Sequence, residues 1–168
     1  MEPLVNLSKA ETHTFEDARN LLSQIRAGVT EDVRDLARAI EILEGLRKQT
    51  YENINQIQHE AMILRAARWL QESDFPGQDV EWYWNPRQTG TTEEPDLRGI
   101  LDGRTVVSAE ITTSADPKGG LDSRMRDTLE KLSKMPGKRV FFVRTESMFI
   151  RARTKLSKSG YQVEVRRI

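Results

Sequence analysis

The chain has 168 residues, 37% hydrophobic and 31% charged, with 26 Lys/Arg balanced by 26 Asp/Glu and no cysteine. Such a composition supports a globular core, while the lack of cysteine excludes disulfides, thiolate zinc sites and a cysteine nucleophile. No run of 18 or more apolar residues is present, so no membrane-spanning helix is expected, and the polar, acidic start "MEPLVNLSKAETHTFED" is unlike a secretory leader. A cytoplasmic protein is the expectation. The zero net charge hides an asymmetry: residues 118–168 carry 14 Lys/Arg against 5 Asp/Glu, or +9, and residues 1–117 carry 12 against 21, or −9. A basic segment of this kind can contact phosphates although the whole chain is neutral.

The first half reads as helix. Thr14 with Asp17 resembles a capping box and opens "FEDARNLLSQIRAG", which Gly28 ends,. Thr30 caps a second pattern, with Glu31 and Asp32 where the helix dipole favours negative charge. Two heptad-like series follow, one through Val33, Ile40, Ile54 and Ala61 and the other through Leu36, Leu43, Ile57 and Leu64, interrupted at Arg47 and Thr50. Unbroken from Glu31 to Ser73, this helix would be roughly 65 Å long. Either it breaks near "KQTYEN" or it projects and pairs with another helix, as a hairpin within the chain or as a coiled-coil homodimer. Residues 1–55 are therefore expected to form a helical extension, and residues 56–168 a second domain.

After "SDFPGQD" the period changes from helical to two. "VEWYWNP" sets Val80, Trp82 and Trp84 on one face, the pattern of core residues. "PDLRGILDG" and "RTVVSAEITTS" follow as strands joined by Asp102-Gly103, a pair suited to the positive φ of a two-residue hairpin. "GGLDSRMRDTLEKLSKMPG" is an amphipathic helix, "KRVFFVRT" a short apolar strand, "SMFIRARTKLSKSG" a basic helix and "YQVEVRRI" a last strand. The predicted class is α/β, in the order αβββαβαβ from about residue 56, with a mixed sheet flanked by helices.

On the strand "RTVVSAEITTS", alternation places Val107, Ala109 and Ile111 on one face and Ser108, Glu110, Thr112 and Ser114 on the other. That polar face is expected to line a cleft or meet water. Asp96, at the head of the preceding strand, falls within reach of Glu110. Two carboxylates with a backbone carbonyl make a hard-oxygen site suited to Mg²⁺. His13 and His59, the two histidines, read as ordinary surface or interface residues.

"PD" at 95–96, fourteen residues before "EIT" at 110–112, resembles the PD-(D/E)xK nuclease superfamily, and the element order over residues 56–168 resembles its restriction-endonuclease-like core. The resemblance implies phosphodiester hydrolysis of DNA, RNA not being excluded, with Mg²⁺ (or Mn²⁺) held by Asp96, Glu110 and the Ile111 carbonyl. It also implies an acidic residue on the preceding helix, for which Glu60 stands in the matching place. The chain departs from the family at Thr112, where a lysine is usual. Threonine carries no charge and cannot perform the lysine's electrostatic role. A cation from elsewhere could replace it: Arg98 or Lys118 first, then Arg124, Arg126 or Lys131. Otherwise the metal acts alone, or catalysis is lost and a module for nucleic-acid binding or dimeric scaffolding remains. Arg124, Arg126, Lys131, Arg151 and Arg153 are the phosphate-contact candidates, each of which also fits a plain solvated face.

Overall fold

A computed structural model of the protein describes residues 1–30, 32–86, 93–117 and 120–168. Its elements, in chain order, are β1 (Glu2–Pro3), α1 (Leu7–Val29), α2 (Leu36–Ser73), β2 (Glu81–Trp84), β3 (Leu97–Leu101), β4 (Arg104–Thr112), α3 (Gly120–Ser133), β5 (Lys138–Val143), α4 (Glu146–Ser159) and β6 (Glu164–Arg167). From α2 onward the order is the expected αβββαβαβ. The class is α/β, with six strands lying in sequential order in one mixed sheet. Strands β1 to β4 are antiparallel neighbours, and β4, β5 and β6 run parallel through the crossovers α3 and α4.

Both helix starts in the N-terminal half differ from the sequence reading. The α1 cap is Asn6, whose side chain accepts from the Lys9 amide, and Thr14 is buried inside the helix. The α2 cap is Asp35, accepting from the Arg38 amide. Asn and Asp rank above Thr as N-caps, so local capping strength favours the observed starts. Glu31 lies outside the described residues. Of the two alternatives for α2, the break at "KQTYEN" does not occur: the helix runs unbroken for 38 residues, and the Thr50 hydroxyl bonds back to the Leu46 carbonyl at 2.6 Å. Helix α1 folds back along α2, with Gly28 against Leu46 and an Arg68–Glu11 ion pair at 2.6 Å. The pairing that the chain makes for itself is thus a helical hairpin.

The boundary expected at residues 55/56 falls inside α2. Over its second half α2 enters the core, where Met62, Ile63, Leu64, Ala66, Ala67 and Leu70 pack with Val107, Ala109, Ile111, Val140 and Phe142 on one face of the sheet. Val80, Trp82 and Trp84 join that core, as their alternation predicts. Strand β1, unforeseen because Glu2-Pro3 is two residues long, pairs with Tyr83 and Trp84 and buries Leu4. On the opposite face Met125, Leu129 and Leu132 of α3 and Met148 and Ala152 of α4 cover Phe141 and Val143.

The hairpin between β3 and β4 turns at Asp102 and Gly103, with φ of 50° and 71°, as that residue pair requires. A register shift beyond Gly99 then sets Val107 opposite Gly99 but Thr105 opposite Ile100, a bulge that leaves Val106 without a partner. Gly137 closes on this bulge with φ +76°, and a Cβ there would lie 2.6 Å from the Val106 carbonyl carbon. Gly137→Ala is therefore expected to destabilise by roughly 2 kcal/mol or more, since positive φ and a backbone clash add. Urea denaturation should register this as a lower midpoint at unchanged slope.

Candidate active site

The site grows from the point where β3 and β4 part. Their ladder pairs Leu97 with Ala109. One step further on, the Asp96 side chain takes over from backbone pairing: its Oδ2 accepts the Ile111 amide at 2.7 Å, within buried surroundings. Strand alternation puts Glu110 on the same face as Ser108 and Thr112, and Glu110 lies level with Phe141 of the neighbouring β5. The polar face of β4 is not simply open to water. Ser108 is fully buried, donating to the Pro136 carbonyl at 2.9 Å, and α3 covers this side of the sheet. Beyond Ser108 a cleft of about 740 Å³ opens, lined among others by His59, Asn85, Asp96, Glu110, Thr112 and Lys131. It lies toward the carboxyl end of β4, the usual place for a site in an open α/β sheet.

Helix α3 presents Arg124, Asp127, Thr128 and Lys131 to the cleft, residues three and four apart and therefore on one helical face. Leu129 and Leu132 face the core, and Met125, buried with them, borders the cleft as well. The packing of α3 thus fixes which charges reach the carboxylates. Lys131 Nζ stands 2.5 Å from Glu110 Oε1 and donates to the Glu94 carbonyl at 3.1 Å. The expectation that a basic side chain replaces the missing lysine meets a candidate here, but it is neither of the two placed first. Arg98 sits opposite Ser108, two residues further from the cleft than Asp96. Its Nε is buried without a hydrogen-bond partner, and it is not among the residues lining the cleft. Lys118 lies outside the described residues.

His59 is the residue that sequence reasoning missed. Expected at a surface or interface, it is 6% exposed and points Nε2 at Asp96 Oδ2 across 3.3 Å. Neither ring nitrogen has an aligned hydrogen-bond partner. Glu60, expected to face the site, is buried but is not among the cleft-lining residues. One residue along a helix is a rotation of about 100°, so an error of one in the phase of α2 exchanges the two. Of the phosphate-contact candidates, Arg124 and Lys131 reach the cleft. Arg126 is exposed and pairs with its neighbour Asp127. Arg153 lies over the Phe149 ring and Arg151 is half-buried on the same helix, both on α4 and outside the cleft lining.

The electrostatics follow from burial. Glu110 is pushed up from 4.5 to about 7, first by desolvation and then by the charge of Asp96, against the opposing pull of Lys131 and His59,. Burial is also the largest influence on His59 and favours its neutral form. The Asp96 side chain, the charges of Asp96 and Glu110 and the Ile111 carbonyl together outweigh it, so its pKa is raised. The carboxylates are thus only partly compensated by the cations that face them. Asp96, Glu110 and the Ile111 carbonyl are oxygen donors that suit a divalent cation, whose charge would complete that compensation. Among the described residues no three His, Cys, Asp or Glu side chains form a ready-made metal cluster. A Mg²⁺ site does not need one, since this ion commonly takes one or two carboxylates and fills its shell with water and substrate oxygens.

Comparison with protein-family models, curated proteins and solved structures finds no match to this chain.

A carboxyl group whose folded pKa lies above its unfolded value stabilises the fold through its protonated form. That contribution is complete below about 4.5 for Glu110 and is lost as pH rises through about 7,. His59, also raised, acts in the same direction, its contribution complete below 6.5 and lost as pH climbs through its raised value. In EDTA, stability is expected to fall by up to about 3 kcal/mol between pH 4.5 and 7.5. Glu110→Gln should flatten that slope and stabilise the protein at neutral pH. Urea midpoints measured across this range check both outcomes, and an unchanged slope in the variant would refute the assignment.

Proposed function

We propose that this protein is a metal-dependent nuclease with a restriction-endonuclease-like core of the PD-(D/E)xK type, hydrolysing phosphodiester bonds in DNA. The observation that carries the reading is the contact between Lys131 and Glu110. An ammonium group from α3 stands beside the second motif carboxylate, while Thr112, in the position usual for lysine, lines the same cleft. The element order and the mixed sheet agree with such a core, although many unrelated activities share α/β architectures.

In this reading Asp96, Glu110 and the Ile111 carbonyl would hold Mg²⁺ or Mn²⁺, with His59 paired to Asp96 beside them. The ion would supply a polarised phosphate and a more acidic bound water. Lys131 orients the attacking water beside Glu110 and places positive charge where the attacked phosphate gains negative charge. Arg124, about two turns before Lys131 on the same helical face, binds a flanking phosphate and sets the strand's position in the cleft. Thr112 contributes at most a hydrogen bond.

The same contact favours a second reading. A Lys131 ammonium held between Glu110 and the Glu94 carbonyl is also what a catalytically silent module would use to neutralise an inherited carboxylate. Such a module would bind nucleic acid or serve as a scaffold.

Supercoiled plasmid with Mg²⁺ or Mn²⁺ separates the two. The wild-type chain is expected to nick DNA, Asp96→Ala, Glu110→Ala and Lys131→Ala to lose at least about 100-fold in rate, and Thr112→Ala to stay within a few-fold. Full activity in Lys131→Ala would exclude it as the working cation. Salt-dependent DNA binding without cleavage by the wild type would establish the silent module instead.

A further inference from the structure

The helical hairpin exposes more apolar surface than its own packing consumes. On α1, Phe15, Leu22 and Val29 recur every seven residues and are each about two-thirds exposed. On α2, Leu36, Ile40, Leu43 and Ile54 fall within an arc of about 60° at 100° per residue, and Leu36 is 78% exposed. These are not the faces the two helices turn to each other, which carry the contact between Gly28 and Leu46. Measured around each helix, the exposed stripe lies about a quarter to a third of a turn from that contact face. Because the helices run antiparallel, the two rotations bring both stripes to the same side of the hairpin.

We propose that this side of the hairpin is the interface with a second copy of the chain, in which α1 of each copy packs on α2 of the other. Two observations select a second copy as the occupant. The recurrence at seven residues on α1, and at four and three on α2, is the spacing that helix-on-helix packing requires. With Tyr51 included, the stripe offers eight apolar side chains at about 100 Å² each, or roughly 800 Å² per copy. That is the area a standard interface takes from each partner. A two-fold axis parallel to the hairpin sets α1 of one copy against α2 of the other. An anionic membrane fits less well, because residues 7–73 carry 9 Lys/Arg against 11 Asp/Glu, or −2, where interfacial helices favour an excess of lysine and arginine. The inference does not depend on the chemistry of the cleft.

Sedimentation equilibrium of the full chain tests it. At micromolar concentration the wild type is expected to have the mass of two chains, and the double variant Leu22→Glu/Leu43→Glu the mass of one. The variant's dimer Kd should be weaker by at least about 100-fold, since each substitution is counted twice across a two-fold interface. Both side chains face solvent in the single chain, so helical circular dichroism and the thermal midpoint should remain as in the wild type. Ile150→Glu, on the exposed side of α4, should leave the dimer intact. A monomeric wild type overturns the proposal, including one that floats with anionic vesicles. So does a dimer that survives the double variant or is dissociated by Ile150→Glu.

Discussion

Asp96 and Glu110 are buried on one face of a sheet within each other's field, and carboxylates so placed must find positive charge or give up ionisation. Much of the surrounding structure answers that requirement. Asp96 gains the Ile111 amide and the flank of His59. Glu110 gains Lys131, carried in by a helix whose opposite side is locked into the core. The compensation remains incomplete, and the raised pKa of Glu110 expresses the deficit. A site that leaves negative charge undercompensated in a cleft attracts a cation, which is the link between the electrostatics and the proposed chemistry.

Strand β4 is where core and site are held apart. Its apolar side chains, Val107, Ala109 and Ile111, seal the layer under α2. Its polar ones progress from Ser108, satisfied by the Pro136 carbonyl, to Glu110 and Thr112 at the cleft. Both sides of the strand are therefore constrained. A one-residue slip in register would bury Glu110 in the apolar layer and expose its neighbours, so the bulge at Val106 and the close approach of Gly137 help to fix the site as well as the fold.

The α/β class, the order of elements and the hairpin turn were legible because each has a local cause: an alternation of period two, an Asp-Gly pair, and amphipathic stretches, although α1 runs past Gly28, read as its end, to Val29. The same alternation correctly paired Asp96 with Glu110. Asn6 and Asp35, which rank above Thr as caps, take the places read for Thr14 and Thr30. What else was not legible depended on phase or on long-range packing. His59 and Glu60 differ by one step on a long helix, and nothing in their neighbourhood of sequence indicates which one faces Asp96. Lys131 is one of several basic residues on α3. Only the burial of Leu129 and Leu132 turns it, rather than Arg126, toward the cleft.

The unbroken course of α2 has a mechanical consequence. Ile40, near its far end, and His59, at the floor of the cleft, belong to the same hydrogen-bonded rod and are separated by about 28 Å along its axis. A helix without a break transmits rotation and tilt over that distance with little loss, whereas a hinge at "KQTYEN" would have absorbed them. Both feet of the hairpin stand in one sheet, through β1 before α1 and β2 after α2, so the rod pivots on the layer that carries the carboxylates. The exposed stripe at the tip and the imidazole beside Asp96 are thus carried by one continuous helix, so the position of the one constrains the position of the other.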